Sequence, residues 1–129
     1  MMSPRRLFPI ALALASMSIS AWAAERQAYT PEAFAAAQSA GQSILIDIDA
    51  PWCPTCKAQA PILQKLEGEP KFKDLRVFRV DFDGQKDVVK SFKATTQSTL
   101  IVFKGAKEAG RSVGDTDAAS IATLLDKAL

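Results

Sequence analysis

The sequence predicts an α/β fold, a single domain in which helices cover both faces of a mixed central sheet. Helix-like and strand-like periodicities follow one another in the order αβαβαββα. The run Ser43 to Asp49 is nearly continuous in apolar character, as in a central strand covered on both faces. The last two strands are joined by a short turn and read as an antiparallel hairpin, whereas strands joined through helices should lie parallel. With 129 residues, 48% hydrophobic and 23% charged, the composition suits one packed core rather than disorder.

The N-terminus stands apart from this pattern. Arg5 and Arg6 precede an apolar stretch from Leu7 to Ala15, and Ala21-Trp22-Ala23 has the small-x-small form of a cleavage site. The expectation is a signal peptide over 1–23, cut after Ala23, and a mature domain over 24–129 in the periplasm. An uncleaved membrane anchor is the alternative, because no charge occurs from Leu7 to Ala24. No later segment is long and apolar enough to span a bilayer, so the mature domain is expected to lie outside the membrane. Without Arg5 and Arg6 the 16 basic residues become 14, equal to the 14 acidic ones. That balance argues against a nucleic-acid partner, which calls for a basic face.

Each element has its own signal. Thr30-Pro31-Glu32 is a helix start, with an N-cap hydroxyl, a proline that has no N–H to leave unpaired and an acid in the first turn. The helix runs through alanines to Gly41. A second helix starts at Pro54, carries Ala58, Ile62, Leu63 and Leu66 at spacings of three and four, is kinked by Pro61 and ends near Gly68-Glu69-Pro70. Leu75 to Phe82 reads as a strand, and Gly84 to Phe92 as a third helix with Val88, Val89 and Phe92 on one side. Thr99 to Phe103 and Glu108 to Val113 make the hairpin. Asp115 or Thr116 caps a last helix with Ile121, Leu124, Leu125 and Leu129 as its apolar stripe.

The chain's only two cysteines lie three positions apart in Trp52-Cys53-Pro54-Thr55-Cys56-Lys57, directly after the central strand. On the first turn of a helix such side chains share a face, with Cβ atoms about 5–6 Å apart. A slight tightening reaches the roughly 3.5–4.5 Å of a disulfide, so the pair can open and close. A structural staple fits poorly, because so short a loop constrains the unfolded chain little. Cys53 sits just before the helix, where free N–H groups and the positive dipole end favour a thiolate. Asp47 lies inside the apolar strand, where an unpartnered carboxylate is costly, and this marks it as a functional candidate.

From Ile44 through Leu63 the sequence resembles the thioredoxin family without a gap, and Val77-Phe78-Arg79-Val80-Asp81, Leu100 to Gly105 and Val113-Gly114 fall in register. The resemblance implies a thioredoxin-like three-layer α/β/α sandwich and disulfide exchange that needs no cofactor beyond the redox-active pair Cys53–Cys56. Cys53 would attack a protein disulfide, and Cys56 would resolve the mixed disulfide. Asp47, beneath the pair with a raised pKa, would accept the proton of Cys56. Trp52 would shelter the sulfurs and offer a flat surface to the partner. Pro54, Thr55, Gln97, Ser98 and Thr99 would contact substrate, and Lys57 and Arg79 are candidates for tuning the charge of the site.

Two residues depart from the family pattern. Pro54-Thr55 replaces the Gly-Pro of cytosolic thioredoxins and looks more like exported thiol reductases of cytochrome c maturation, although the extra segment those carry after the second helix is absent. Ser98 stands where the family has a cis-proline. A cis bond before serine costs about 2.5–4 kcal/mol, so a trans bond or a strained loop is expected. The Ser98 hydroxyl, if it reaches Cys53, lowers that thiol's pKa.

The strongest oxidants of the family place histidine between the cysteines, and this chain has none. The expected role is therefore that of a reductant or an isomerase-like protein, with a potential nearer the roughly −270 mV of thioredoxin than the about −120 mV of the strong oxidant. A reductant outside the cytoplasm needs recharging, which implies a membrane-bound electron donor and a place in electron transport. The competing class is a metal or iron–sulfur module on the same cysteines. Two thiolates supply only half of a tetrahedral site, and no metal is assigned.

Overall fold

The computed structural model of the protein describes Pro4 and residues 23–129; the expected leader, Pro4 and Ala23 apart, lies outside the described residues. In chain order the elements are β1 (Glu25–Ala28), α1 (Pro31–Ser39), β2 (Ser43–Asp49), α2 (Pro54–Glu67), a 3-10 turn at Pro70–Phe72, β3 (Arg76–Asp81), α3 (Lys86–Ser91), β4 (Thr99–Lys104), β5 (Lys107–Val113) and α4 (Ala118–Asp126). The strands form one sheet in the order β1-β3-β2-β4-β5. β1 and β2 both run parallel to β3, while β4 is antiparallel to β2 and to β5. Among the described residues no helix is long and apolar enough to cross a membrane.

The period-two geometry of β2 divides the core. Ile44, Ile46 and Ile48 pack with Phe78, Val80, Ala37 of α1 and Val89 of α3. Leu45 points the other way, toward Leu63 and Leu66 of α2 and Ile121, Leu124 and Leu125 of α4. Asp47, two residues on, shares the Leu45 face. The mixed three-layer sandwich is as expected.

The structure adds β1, which the sequence pattern does not predict. Glu25-Arg26-Gln27-Ala28 is polar and mostly exposed, so it carries no alternation to read. It is a strand because the open edge of β3 accepts it, with Ala24 N donating to Glu67 O at 2.8 Å and Tyr29 N to Arg79 O at 2.9 Å as end ties. Three smaller corrections concern the helices. Asp117, rather than Asp115 or Thr116, caps α4 and accepts Ser120 N at 2.7 Å, while the Asp115 carboxylate takes Asp117 N at 2.9 Å and the Ser120 hydroxyl. Leu129 is 47% exposed, and Ala128 packs in the core instead. On α2 Ala58 is exposed, because the buried face starts from Cys56 and continues through Gln59, Leu63, Leu66 and Glu67.

Candidate active site

β2, the central strand, delivers the chain to one end of the sheet, and after four intervening residues α2 starts with Cys53 as its N-cap and Pro54 in its first turn. Cys53 Sγ accepts the backbone N–H of Cys56 at 3.1 Å, the position where a serine or aspartate oxygen caps other helices. Both cysteines are free thiols. Together with Ala50 they form a small apolar cluster lined by Phe82, separate from the two main cores. Cys53 has no exposed surface and Cys56 is 7% exposed, yet Trp52 and Pro54 beside them are open to solvent. The pair therefore lies directly beneath exposed neighbours.

The two thiols differ in acidity. Burial works against a charge on Cys53, but hydrogen bonds from Cys56, from Ser98 and from the N–H groups of Cys56 and Thr55 outweigh it, and its pKa falls below the ordinary thiol value. Cys56 is pushed up to about 11 by burial and by its hydrogen bond to Cys53. One thiol is thus set to attack and the other to hold its proton.

Ser98 is joined to Thr99 at the head of β4, opposite the cysteines. The described residues contain no cis peptide bond, and Ser98 has φ 60°, in the left-handed region. Both expected outcomes therefore occur together: a trans bond and a strained residue. Its N–H donates to Ile48 O at 2.9 Å, and its carbonyl accepts Gly114 N at 3.0 Å and Gln59 Nε2 at 3.3 Å. These bonds hold the strained conformation and use up the backbone groups of Ser98. The hydroxyl is 3.3 Å from Cys53 Sγ and 3.5 Å from Cys56 Sγ, so one oxygen spans both sulfurs.

The remaining candidates fall at three distances from the chemistry. Trp52 is 54% exposed and its indole N–H donates to Asp83 Oδ2 at 2.6 Å, which fixes the ring beside the pair. Gln97 is half-buried, Thr99 is buried and its hydroxyl donates to Thr96 O at 2.7 Å, and Thr55 lies on the first turn of α2. Arg79 is engaged with Asp49 at 2.8 Å and does not contact the cysteines. Lys57 lines a cavity of about 570 Å³ that also reaches Asp47, Cys56 and Glu67. Asp47 is 6% exposed, and burial raises its pKa against the opposing pull of Arg26.

Three polar residues here were not anticipated. Gln59 bonds the carbonyls of Ser98 and Asp115, tying α2 to the Ser98 loop and the start of α4. Arg26 Nη1 donates to Asp47 Oδ2 at 2.9 Å, and its Nε and Nη2 donate to Glu67 at 2.8 and 3.1 Å. Helical spacing from Cys56 would have found Gln59 and Glu67. Arg26 depended on recognising β1. Among the described residues no three His, Cys, Asp or Glu side chains gather as a metal-binding group, so a metal on the cysteines would draw its third ligand from Ser98 or from outside.

The family model described as Thioredoxin matches residues 25–127, from the first strand to the last helix. The chain belongs to the thioredoxin family. It is 35% identical to the thioredoxin of Chlamydia trachomatis over 101 residues, covering 78% of this chain and 96% of that one. It is 33% identical to Thioredoxin-2 of Saccharomyces cerevisiae, over 63% of this chain and 76% of the relative. Among solved structures, Trxlp from Edwardsiella tarda superposes with a TM-score of 0.77 at 40% identity, covering 78% of this chain and 98% of that chain. This thioredoxin-family protein is a thiol-disulfide oxidoreductase acting on protein thiols or disulfides.

Proposed function

We propose that the protein is an exported, periplasmic disulfide reductase. Cys53 as thiolate attacks a sulfur of the substrate disulfide, forming a mixed disulfide and releasing the other substrate sulfur as a thiolate. Cys56 gives up its proton, attacks Cys53 Sγ and displaces the second substrate thiolate, so the substrate gains two electrons and the protein ends as the Cys53–Cys56 disulfide. The observation that carries this reading is the Cys53 sulfur serving as the cap of α2, where N–H groups and the dipole end stabilise its negative charge.

Trp52, Pro54, Thr55 and Gln97 form the surface a partner meets, with Ser98 and Thr99 buried behind Gln97. Export rests on the basic, apolar and small-x-small pattern of 1–23, with the family match starting at residue 25. Reduction rests on the absence of histidine beside the thiols. Outside the cytoplasm the oxidised pair is recharged by a membrane-bound donor. The cytochrome c maturation reading has less support, since only a 3-10 turn separates α2 from β3.

A Cys56→Ser variant produced with the full leader tests these points together. It should accumulate periplasmic partners joined to Cys53 by mixed disulfides, and the purified wild type should reduce insulin. Absence of trapped partners together with a potential above about −150 mV would count against the reductase reading.

A further inference from the structure

Two buried carboxylates and one guanidinium meet behind the cysteine helix, and the redox motif explains only one of the three. Asp47 comes from β2, Glu67 from the last turn of α2 and Arg26 from β1. Asp47 and Glu67 are 6% and 7% exposed. Arg26 grips Glu67 with two nitrogens, Nε at 2.8 Å and Nη2 at 3.1 Å, a fork geometry that fixes the plane of the guanidinium. The remaining arm, Nη1, is thereby aimed at Asp47 Oδ2, 2.9 Å away. All three residues line the cavity that reaches Cys56.

The charges around Asp47 make the role of Arg26 specific. Asp49 adds like charge from β2 and Glu67 from α2, and Arg79 of β3 is held by Asp49. Cys56 and Lys57 face the cavity from α2, with Lys57 exposed. Among the described residues Arg26 is the cation in contact with Asp47. Buried carboxylates that face one another with no cation between them keep a proton, and a protonated carboxyl cannot accept another.

We propose that Arg26 is a positioning residue for the resolving step, anchored by Glu67 so that it holds Asp47 as an ionised carboxylate facing the cavity, ready for the proton of Cys56. This rests on the reductase reading above. In the mixed disulfide, Asp47 takes the proton from the Cys56 thiol across the cavity, where Arg26, Asp47 and Glu67 supply polar groups and the volume is large enough for bridging water. The Cys56 thiolate then forms its bond to Cys53 Sγ, the bond from Cys53 to the substrate sulfur breaks, and that sulfur leaves as a thiolate with the electron pair. The proton on Asp47 returns to solvent through the cavity.

The test is the two-phase reaction of the reduced protein with dithiobis-nitrobenzoate, in which the first coloured thiolate reports attack by Cys53 and the second reports resolution by Cys56. In Arg26→Gln the second phase should slow about tenfold at neutral pH, and its pH midpoint should rise by about one unit, with the first phase unchanged. Arg26→Lys should recover most of the loss. Carbon-13 titration of the wild-type Asp47 carboxyl should show it ionised at pH 7, a check that holds even if Arg26→Gln does not fold. A second phase that is unmoved in folded Arg26→Gln, equal slowing of both phases, or a protonated Asp47 at pH 7 overturns the inference. If the wild type itself gives no second phase, the reductase reading fails with it.

Discussion

The two faces of the sheet are built for different ends. On the α1/α3 face, Tyr29, Phe34, Phe78, Phe92 and Phe103 pack as edge-to-face and tilted pairs with centroids 5.4 to 6.2 Å apart, joined by aliphatic side chains from β2, β3 and β4. On the α2/α4 face the leucine core is interrupted toward the cysteines by Asp47, Glu67 and Gln59, all buried and all hydrogen-bonded. The first face supplies burial without chemistry. The second gives up apolar contact to hold charge in the cavity that reaches a thiol.

This contrast can be broken most visibly by one substitution on the aromatic face and one in the cysteine motif. Phe78→Ala should cost about 3–5 kcal/mol in denaturant unfolding and leave the intrinsic reactivity of the folded fraction unchanged. Cys53→Ser should reduce insulin turnover to background with little change in stability. If Cys53→Ser destabilised as much as Phe78→Ala, the division between the faces would be wrong.

A pH effect sharpens it. Burial raises Asp47, so between the ordinary value near 3.8 and its own midpoint the folded chain binds more proton than the unfolded one, and stability falls as pH rises through that window. Asp47→Asn should flatten this slope in thermal melts, whereas no substitution on the aromatic face should alter it. An unchanged slope in Asp47→Asn would remove Asp47 as its source.

Smaller effects follow at the edges of the site. Ser98→Ala should raise the Cys53 titration midpoint by about one unit, because the thiolate loses a donor at 3.3 Å. Ser98→Gly should lose the same donor but relieve about 1 kcal/mol of left-handed strain, visible as greater stability than Ser98→Ala. Far from the thiols, Asp117→Ala should cost about 1 kcal/mol through loss of the α4 cap, with no change in thiol titration.

The same contrast explains what could be read in advance. The apolar face announces itself, since isoleucines at alternate positions of β2 and a proline-led helix start each have one local reading. The cysteine motif was equally legible, being local in sequence. The Arg26, Asp47 and Glu67 cluster was not, because it joins residues 21 and 41 positions apart through a strand that exists only by pairing with β3. The left-handed Ser98 was half-legible. Serine in place of the family's cis-proline predicted a trans bond or strain, while the three bonds to its backbone that hold both together come from β2, the Gln59 side chain of α2 and Gly114.

The start of α2 splits two neighbouring thiols into an acidic attacker and a reluctant resolver. Ultraviolet titration of thiolate absorbance in the reduced protein, with Cys53→Ser as the control, tests it most directly. The predicted result is one thiol ionising below the ordinary value of about 8.5 and missing in Cys53→Ser, and a second ionising near about 11. Two overlapping titrations at the ordinary value, or a low-pH thiolate that persists in Cys53→Ser, would contradict it.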